Sequence, residues 1–380
     1  MTEVPDKRSA STDRPATAAG ERLDRYRSMR RFDATPEPAG EERATTGAAA
    51  RGPRFVIQEH HATRLHWDLR LEHDGTLASW ALPRGVPWSP GDNRLAVHTE
   101  DHPLEYLGFH GDIPEGQYGA GRMTIWDHGT YEPEIFEAKK VQVVLHGERV
   151  QGRYALFPIG DRDWLIHRMD PPADPSRRPV PTDLRPMRAV PGALPPDDGR
   201  WAFEIRWRGE RVLVTSSGGS AEVHTADGRD AGALVPEVKR IGRAIGAPEV
   251  VLDGVLVAVD GTGRPLPDGA ADSLAQRLAA TDERAARRLA RRHPVAVVLF
   301  DLLWYEGHPV TDEPYADRRA RLDELTLEGP AWQVPASHHG DGEALLAAAR
   351  QQGLWGLVAK RLDSAYVPGG QPGTWVEVRA

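Results

Sequence analysis

The sequence predicts a multidomain protein in which an all-β barrel or sandwich is followed by an α+β domain. From Phe55 to about Asp170, short alternating apolar runs are separated by turn residues, and none has the 3.6-residue period of a long helix. Residues 171–200 contain nine prolines and cannot continue a sheet or a helix. Beyond them, strand-like runs such as EVVLDGVLVAV alternate with helical runs such as GEALLAAARQQG, which indicates an α+β domain.

Four regions follow from these observations in chain order. Residues 1–50 are rich in Ala, Thr, Arg, Glu and Pro, which predicts a mobile N-terminal arm. Within it, the stretch from Leu23 to Pro38 has aromatic anchors that would allow it to pack on the next domain. Residues 51–170 form the β domain, residues 171–200 a proline-rich linker, and residues 201–380 the α+β domain. Within the last region, ADSLAQRLAATDERAARRLARR predicts a helical stretch.

Composition restricts the chemistry. The 380 residues include 15 histidines and no cysteine, so disulfides are excluded and any metal must be held by His, Asp or Glu. A net charge of −8 argues against charge-driven coating of nucleic acid, although a few arginines could still grip one strand end. No segment resembles a signal peptide or reaches the length of a membrane span, so we expect a cytoplasmic protein with no membrane partner.

The stretch from His60 to Glu72, HHATRLHWDLRLE, carries a candidate metal site. In a strand, His66, Asp68, Arg70 and Glu72 share one face, opposite four large apolar side chains. With His60 as a third ligand, coordination positions stay open for water and substrate, which is typical of a catalytic metal site. Arg70 would then hold a phosphate oxygen bound to the metal. The alternative is an exposed polar face of an amphipathic strand, on which these side chains are merely solvated.

A second cluster follows in RLAVHTEDHPLEY, which contains Arg94, His102 and Tyr106. A histidine beside a metal-bound phosphate can donate a proton or stabilise the transition state, and an arginine can neutralise charge. Taken alone, a histidine before a proline, such as His102 before Pro103, is more often a turn residue. The glycine-rich loop Ile113–Gly121 lacks a P-loop lysine and a dinucleotide fingerprint, and so predicts a tight turn rather than a nucleotide site.

Four motifs of the first half, RFVIQEHHATRLHWDLRLE, SWALPRG, EDHPLEY and IPEGQYGAG, resemble in order and spacing the 3′-phosphoesterase domain of bacterial DNA ligase D, over about residues 23–170. The resemblance implies a β-barrel enzyme that uses Mn²⁺, or another divalent metal, to remove a terminal ribonucleoside and then the 3′-phosphate from DNA ends. The metal ligands that it implies are His60, His66 and Asp68. The catalytic residues that it implies, two of them in the arm segment YRSMRRFDATPEP, are Arg30, Glu37, Arg70, Arg94, His102 and Tyr106.

The same resemblance implies partners and location. DNA 3′ ends would be the substrate, and the end-binding protein Ku and other end-joining proteins are expected partners. The protein would be bacterial and associated with the nucleoid during repair. One departure is Arg84, where the family often has lysine, so that charge is retained while the geometry of its contacts differs.

The C-terminal half resembles the adenylation domain of ATP-dependent DNA ligases over about residues 187–379, on WAFEIRWRGER, VLDGVLVAV, FDLLWYEGHPV, LWGLVAKRLDSAY and TWVEVR. The resemblance implies an α+β nucleotidyltransferase-like fold. Arg211, Phe300 and Lys360 match the pattern, and no oligonucleotide-binding domain is expected after the chain's last residue.

Several reactive positions of that pattern are replaced. Arg206 stands where ligases carry the lysine that takes AMP, and a guanidinium stays protonated and cannot attack phosphorus. Arg208 replaces an aspartate, Val255 and Trp355 replace glutamates, and Glu377 replaces a phosphate-binding lysine. We therefore expect a degenerate adenylation domain that does not use ATP.

The sequence as a whole predicts a metal-dependent DNA 3′-end-processing phosphoesterase of bacterial non-homologous end joining, joined to an inactive ligase-like domain. One alternative is a non-catalytic factor that only binds DNA breaks. A second is a working ATP-dependent DNA ligase, which Arg206 argues against. Whether His102 acts as a general acid or stabilises the transition state is left open.

Overall fold

The structure is a computed structural model that describes residues 20–40, 52–172, 174–196, 198–246, 248–266 and 271–380. The chain divides into two compact units, with the boundary between Pro175 and Ser176. No helix in the described ranges is both long and apolar enough to cross a membrane.

The first unit contains an antiparallel barrel of eight strands, which confirms the predicted all-β architecture. The strands of this unit are β1 (Arg54–His61), β2 (Leu65–His73), β3 (Thr76–Leu82), β4 (Arg94–His98), β5 (Gly111–Ile113), β6 (Gly121–Glu137), β7 (Lys140–Gly147), β8 (Gln151–Pro158) and β9 (Asp163–Arg168). They pair in the order β1-β2-β3-β4-β9-β8-β7-β6, and β6 pairs back with β1 to close the barrel, while β5 adds to β6. Closure removes the free edges that an open sheet would expose.

Residues 20–40, which belong to the predicted mobile arm, are folded against the barrel. They include helix α1 (Asp24–Ser28), whose Tyr26 is fully buried in a cluster with Leu77, Tyr106 and Met123. The Tyr26 hydroxyl also donates to the carbonyl of Pro38 at 2.6 Å. An aromatic anchor with a satisfied hydroxyl holds this segment in place. The rest of the predicted arm, residues 1–19 and 41–50, lies outside the described residues.

The second unit contains two sheets and five helices among its described residues. Its strands are β10 (Val190–Pro191), β11 (Trp201–Ile205), β12 (Glu210–Ser217), β13 (Ser220–Thr225), β14 (Val250–Ala258), β15 (Val295–Tyr305), β16 (His308–Pro309), β17 (Trp332–Gln333), β18 (His338–His339), β19 (Gly356–Arg361) and β20 (Trp375–Arg379). One sheet has the order β13-β12-β14-β15-β16 with β17 beside β15, and the other has the order β10-β20-β19-β11-β18. The helices are α2 (Ile241–Ile245), α3 (Ala271–Leu278), α4 (Glu283–Leu289), α5 (Tyr315–Glu324) and α6 (Gly342–Gln351).

Two local features differ from the sequence-based expectations. The predicted helical stretch is divided into α3 and α4, because the Asp282 side chain accepts from the Ala285 N–H at 2.7 Å and begins a new helix. The proline-rich segment does not only connect the two domains, because part of it is buried. Met187 within it is fully buried, and its N–H donates to the Tyr366 hydroxyl at 2.7 Å.

A fully buried ion pair fixes α5 to the central strand β15. Arg318 donates to both oxygens of Asp301, at 2.8 and 2.9 Å, and neither side chain is exposed. The remaining guanidinium N–H groups reach the carbonyls of Glu313 and Ser364. This bidentate geometry offsets the cost of burying both charges.

We predict that Asp301→Ala destabilises the protein by about 3–5 kcal/mol, because it leaves the Arg318 charge buried without its partner. The matched control is Arg287→Ala, since Arg287 and Glu283 form an exposed pair on α4. That control should change the unfolding free energy by less than about 1 kcal/mol. Urea unfolding of the three proteins measures both effects, and equal midpoints would contradict the assigned role of the buried pair.

Candidate functional site

Three predicted metal ligands converge at one end of the β1–β2 hairpin. His60 and His66 are directly opposed in the register of the two strands, and Asp68 follows on the same face. The His60 Nδ1 and His66 Nε2 atoms lie 3.5 and 3.6 Å from the two carboxylate oxygens of Asp68. One ligand atom from each residue lies within 4.8 Å of the other two, so the three residues can hold one metal ion.

Backbone carbonyls set the tautomers of both imidazoles. His60 Nε2 lies 2.8 Å from the Gly119 carbonyl oxygen, and His66 Nδ1 lies 2.9 Å from that of Arg64. Because a carbonyl only accepts, each of these ring nitrogens must carry the proton. The other nitrogen of each ring then presents its lone pair toward Asp68, as a metal ligand requires.

Asp68 is ionised and firmly oriented. Burial alone would raise the pKa of its carboxyl, but the charge of Arg70 is the main opposing effect, and the pKa is held well below its usual range. Arg70 donates to Asp68 at 3.0 Å, to Gln58 at 2.7 Å and to Ser79 at 3.1 Å. A guanidinium has five N–H groups, so two donors are left over after these three bonds.

The interpretation of this strand face as solvated polar surface is wrong. Asp68 and Arg70 are 5% and 2% exposed. The face is covered by a 3₁₀ turn, whose Tyr106 carbonyl accepts from the Gln58 side chain at 3.1 Å. The Arg70 guanidinium carbon also lies 4.7 Å from the centroid of the Tyr106 ring.

The folded arm segment completes this cluster. Arg30 donates to Glu37 at 2.7 Å and to Glu100 at 3.1 Å, and its Nη2 lies 3.3 Å from His102 Nε2. Glu37 also accepts from the Tyr106 hydroxyl at 2.5 Å. The structure thus brings Arg30, Glu37, His102 and Tyr106 together, as the sequence-based site requires.

His102 is a neutral imidazole in this arrangement. Its Nδ1–H donates to the Glu100 carbonyl at 2.8 Å, so Nε2 carries the lone pair that accepts from Arg30. Burial, followed by the charges of Arg70 and Arg30, lowers the pKa of His102 well below its usual value.

Arg94 has other partners. It donates to Asp92 at 2.6 Å and to the Arg84 carbonyl. Its guanidinium also lies beside Gly85, next to the Trp67 ring. Trp67 and Asp68 are consecutive residues of β2, so their side chains point to opposite faces. Contact of Arg94 with a phosphate at the metal centre stays a prediction.

Sequence reasoning missed four supporting residues: Gln58, Ser79, Glu100 and Gly119. Gln58 and Ser79 position Arg70, Glu100 positions Arg30 and His102, and Gly119 positions His60. Gln58 could have been found, because it lies two residues before His60 on the same strand face. The other three lie within the motifs SWALPRG, EDHPLEY and IPEGQYGAG, but the motifs alone did not indicate which partners they contact.

In the second unit, the substituted positions contact one another. Arg206 forms an ion pair with Glu377 at 2.9 Å, and the guanidinium carbons of Arg206 and Arg208 lie 5.3 and 4.3 Å from the Trp355 ring centroid. Lys360 is 1% exposed and is paired with Glu204 at 2.7 Å.

Two family models match the chain: the DNA Ligase D 3′-phosphoesterase domain over residues 58–158, and the ATP dependent DNA ligase domain over residues 186–379. The multifunctional non-homologous end joining protein LigD of Mycolicibacterium smegmatis is 40% identical over 369 residues, which cover 94% of this chain and 45% of that protein. The LigD protein of Pseudomonas aeruginosa is 34% identical over 400 residues, with 90% and 45% covered. The chain therefore spans about half the length of the curated relatives it matches.

Among solved structures, a mycobacterial DNA ligase D complexed with ATP and MES is 32% identical, covers 52% of this chain and 60% of that one, and has a TM-score of 0.42. Both domain families expected from the sequence motifs are confirmed by the family models. The chain belongs to the ATP-dependent DNA ligase family and carries a DNA ligase D 3′-phosphoesterase domain ahead of its ligase domain.

Proposed function

We propose that the first unit is a divalent-metal-dependent DNA 3′-phosphoesterase of bacterial non-homologous end joining, which removes a terminal ribonucleoside and the 3′-phosphate. The convergence of two imidazole lone pairs on the Asp68 carboxylate carries this proposal. The LigD relatives, named as end-joining proteins, supply the cellular context. Ku would be a partner by the same analogy, and the protein would act in the bacterial cytoplasm at the nucleoid.

The donor set fits a divalent metal, because carboxylate ligands suit Mn²⁺ and imidazole ligands suit ions such as Zn²⁺. When bound by His60, His66 and Asp68, the metal supplies Lewis-acid polarisation of the phosphate. Arg70, already fixed by three hydrogen bonds, directs its two remaining donors to the phosphate oxygens. This arrangement is preorganised, so little reorganisation is needed as charge develops.

His102 acts through Arg30 in this proposal. Its neutral Nε2 accepts from Arg30 and holds that guanidinium beside the phosphate site. A histidine whose pKa is lowered and whose other nitrogen donates to a carbonyl has no proton on Nε2 to give. The neutral state therefore favours transition-state stabilisation over general-acid catalysis for His102.

We further propose that the second unit is an α+β nucleotidyltransferase-like domain that does not react with ATP. Arg206 is held by Glu377, and Lys360 is enclosed by Glu204 and the Phe300 carbonyl, at 2.7 and 3.0 Å. Trp207 and Phe300 line a pocket beside Glu204. The relatives are named as ligases, so a working ligase is the second candidate and the experiment below decides between them.

We predict that His66→Ala and Asp68→Ala abolish metal-dependent release of phosphate from a 3′-phosphorylated primer, because two ligands cannot retain the metal. The control is His146→Ala, which removes an exposed histidine of β7 that is paired only with a surface carboxylate. Phosphate release and calorimetric Mn²⁺ titration should be normal in the control. Tight Mn²⁺ binding by either ligand variant would show that the metal assignment is wrong. A wild-type protein that binds 3′-phosphorylated DNA but releases no phosphate with Mn²⁺, Mg²⁺ or Zn²⁺ would support the break-binding alternative.

We predict that Glu37→Gln lowers turnover about 100-fold, the usual cost of displacing a catalytic group by about 1 Å. The amide cannot hold the Arg30 guanidinium as the carboxylate does, and the Tyr106 hydroxyl loses a charged acceptor. The control is Asp33→Asn in the same segment, whose pair with Arg31 is exposed. Turnover of the two variants on the primer substrate is compared, and equal rates would remove the arm segment from the mechanism.

We predict that neither the wild-type protein nor Arg206→Lys forms a covalent AMP adduct. A new lysine would face Glu377, and the replaced carboxylates at Val255 and Trp355 would still be missing. Incubation with radiolabelled ATP and metal, followed by a denaturing gel, tests both proteins beside a mycobacterial LigD ligase domain as the positive control. A labelled wild-type band would establish a working ligase, and a labelled revertant alone would show that the missing carboxylates are dispensable.

A further inference from the structure

The glycine-rich loop Ile113–Gly121 reaches the metal centre. The Gly119 carbonyl accepts the His60 Nε2–H bond, and the Gly119 backbone has a φ of +74°, which favours glycine. At Gly121, with a φ of +143°, an added Cβ would overlap the His61 carbonyl. A side chain at Gly121 would therefore block the path of the loop along the hairpin, and one at Gly119 would strain the backbone.

Tyr118 lies at the tip of this loop, next to the glycine that orients His60. Tyr118 is 45% exposed, and its ring centroid lies 5.4 Å from the Arg30 guanidinium carbon. Arg30 in turn contacts His102 at 3.3 Å. Tyr118 is therefore adjacent in sequence to Gly119, which orients the metal ligand His60. Arg30 contacts both Tyr118 and His102, and Tyr118 remains accessible.

An accessible aromatic ring and a guanidinium beside a phosphate site are the groups that bind an unpaired base. Bases stack on aromatic rings and on guanidinium planes without regard to sequence, since every base has a π face. We propose that the exposed Tyr118 ring, which lies beside the buried Arg30 guanidinium, forms a stacking site for the nucleobase adjoining the reacting phosphate. This inference rests on the proposed phosphoesterase function and identifies which part of the DNA strand the enzyme binds beside the phosphate.

Exposed aromatic residues also occur without any binding role. Phe157 on β8 is 37% exposed and lies in the same unit. It belongs to a different part of the barrel, since β8 pairs with β7 and β9 and not with the β1–β2 hairpin. Phe157→Ala is therefore a matched control for loss of an exposed ring.

The test compares the wild type, Tyr118→Ala, Tyr118→Phe and Phe157→Ala on a 3′-phosphorylated strand with a normal or an abasic terminal nucleotide. With the normal strand, Tyr118→Ala should raise KM about five- to hundred-fold and leave kcat within about twofold, because stacking is uniform binding. Tyr118→Phe keeps the ring and should stay within about twofold of the wild type. With the abasic strand, Tyr118→Ala and the wild type should have equal KM.

A KM unchanged in Tyr118→Ala, or raised equally on both strands, would overturn the proposal. A strand ending in a single ribonucleoside locates the stacked base. If Tyr118→Ala raises KM on this strand as well as on the 3′-phosphorylated strand, the stacked base belongs to the nucleotide on the 5′ side of the phosphate. Fluorescence anisotropy of labelled strands gives the same comparison without turnover, so a wild-type protein that releases nothing would reject the phosphoesterase function and still leave the stacking site measurable.

Discussion

The register of β1 against β2 is the constraint on which the candidate metal centre depends. Ile57 lies opposite Leu69, and both are fully buried, so this apolar pair holds the two strands in place. In that register His60 is opposite His66, and Asp68 follows on the same face. A slip of one residue would move one strand's polar side chains to the other face and separate the ligands. Hydrophobic burial on one face therefore positions the chemistry on the other.

The alternation in HHATRLHWDLRLE was enough to predict which side chains share a face, because strand periodicity is local. It could not predict that the polar face is buried. The cover comes from distant parts of the chain: Tyr106 in the 3₁₀ turn, and Tyr26 and Glu37 in the segment before the barrel. The composition of that segment is polar, so composition alone does not indicate that single aromatic residues pack it against the barrel. Local sequence patterns likewise could not predict that eight strands close into a barrel, since closure depends on the pairing of β1 with β6.

The partners of individual side chains also could not be predicted from local sequence patterns. The sequence gives no indication that Gly119 and Arg64 offer carbonyls to the two imidazoles, although these contacts determine which nitrogen can bind a metal. Arg94 illustrates the opposite case. Resemblance assigns it to the phosphate, whereas the structure pairs it with Asp92 only two residues away. A motif identifies a residue, but the partners that compete for its charge are known only from the fold.

Competition for charge also explains how the second unit accommodates its substitutions. In the proposed inactive ligase-like domain, Arg206 and Glu377 each replace a group that the ligase pattern carries. In the sheet, β19 lies between β11 and β20, so the residue after β11 and a residue of β20 meet across the start of β19, where Trp355 stands. The two replacements thus neutralise each other, while Lys360 is held by Glu204 on β11. Each of these two cations already has a carboxylate partner, and a triphosphate would have to displace that partner, at a desolvation cost, before gaining any attraction. The substitutions therefore stabilise one another as a set, which supports the proposal that restoring a single lysine does not restore adenylation.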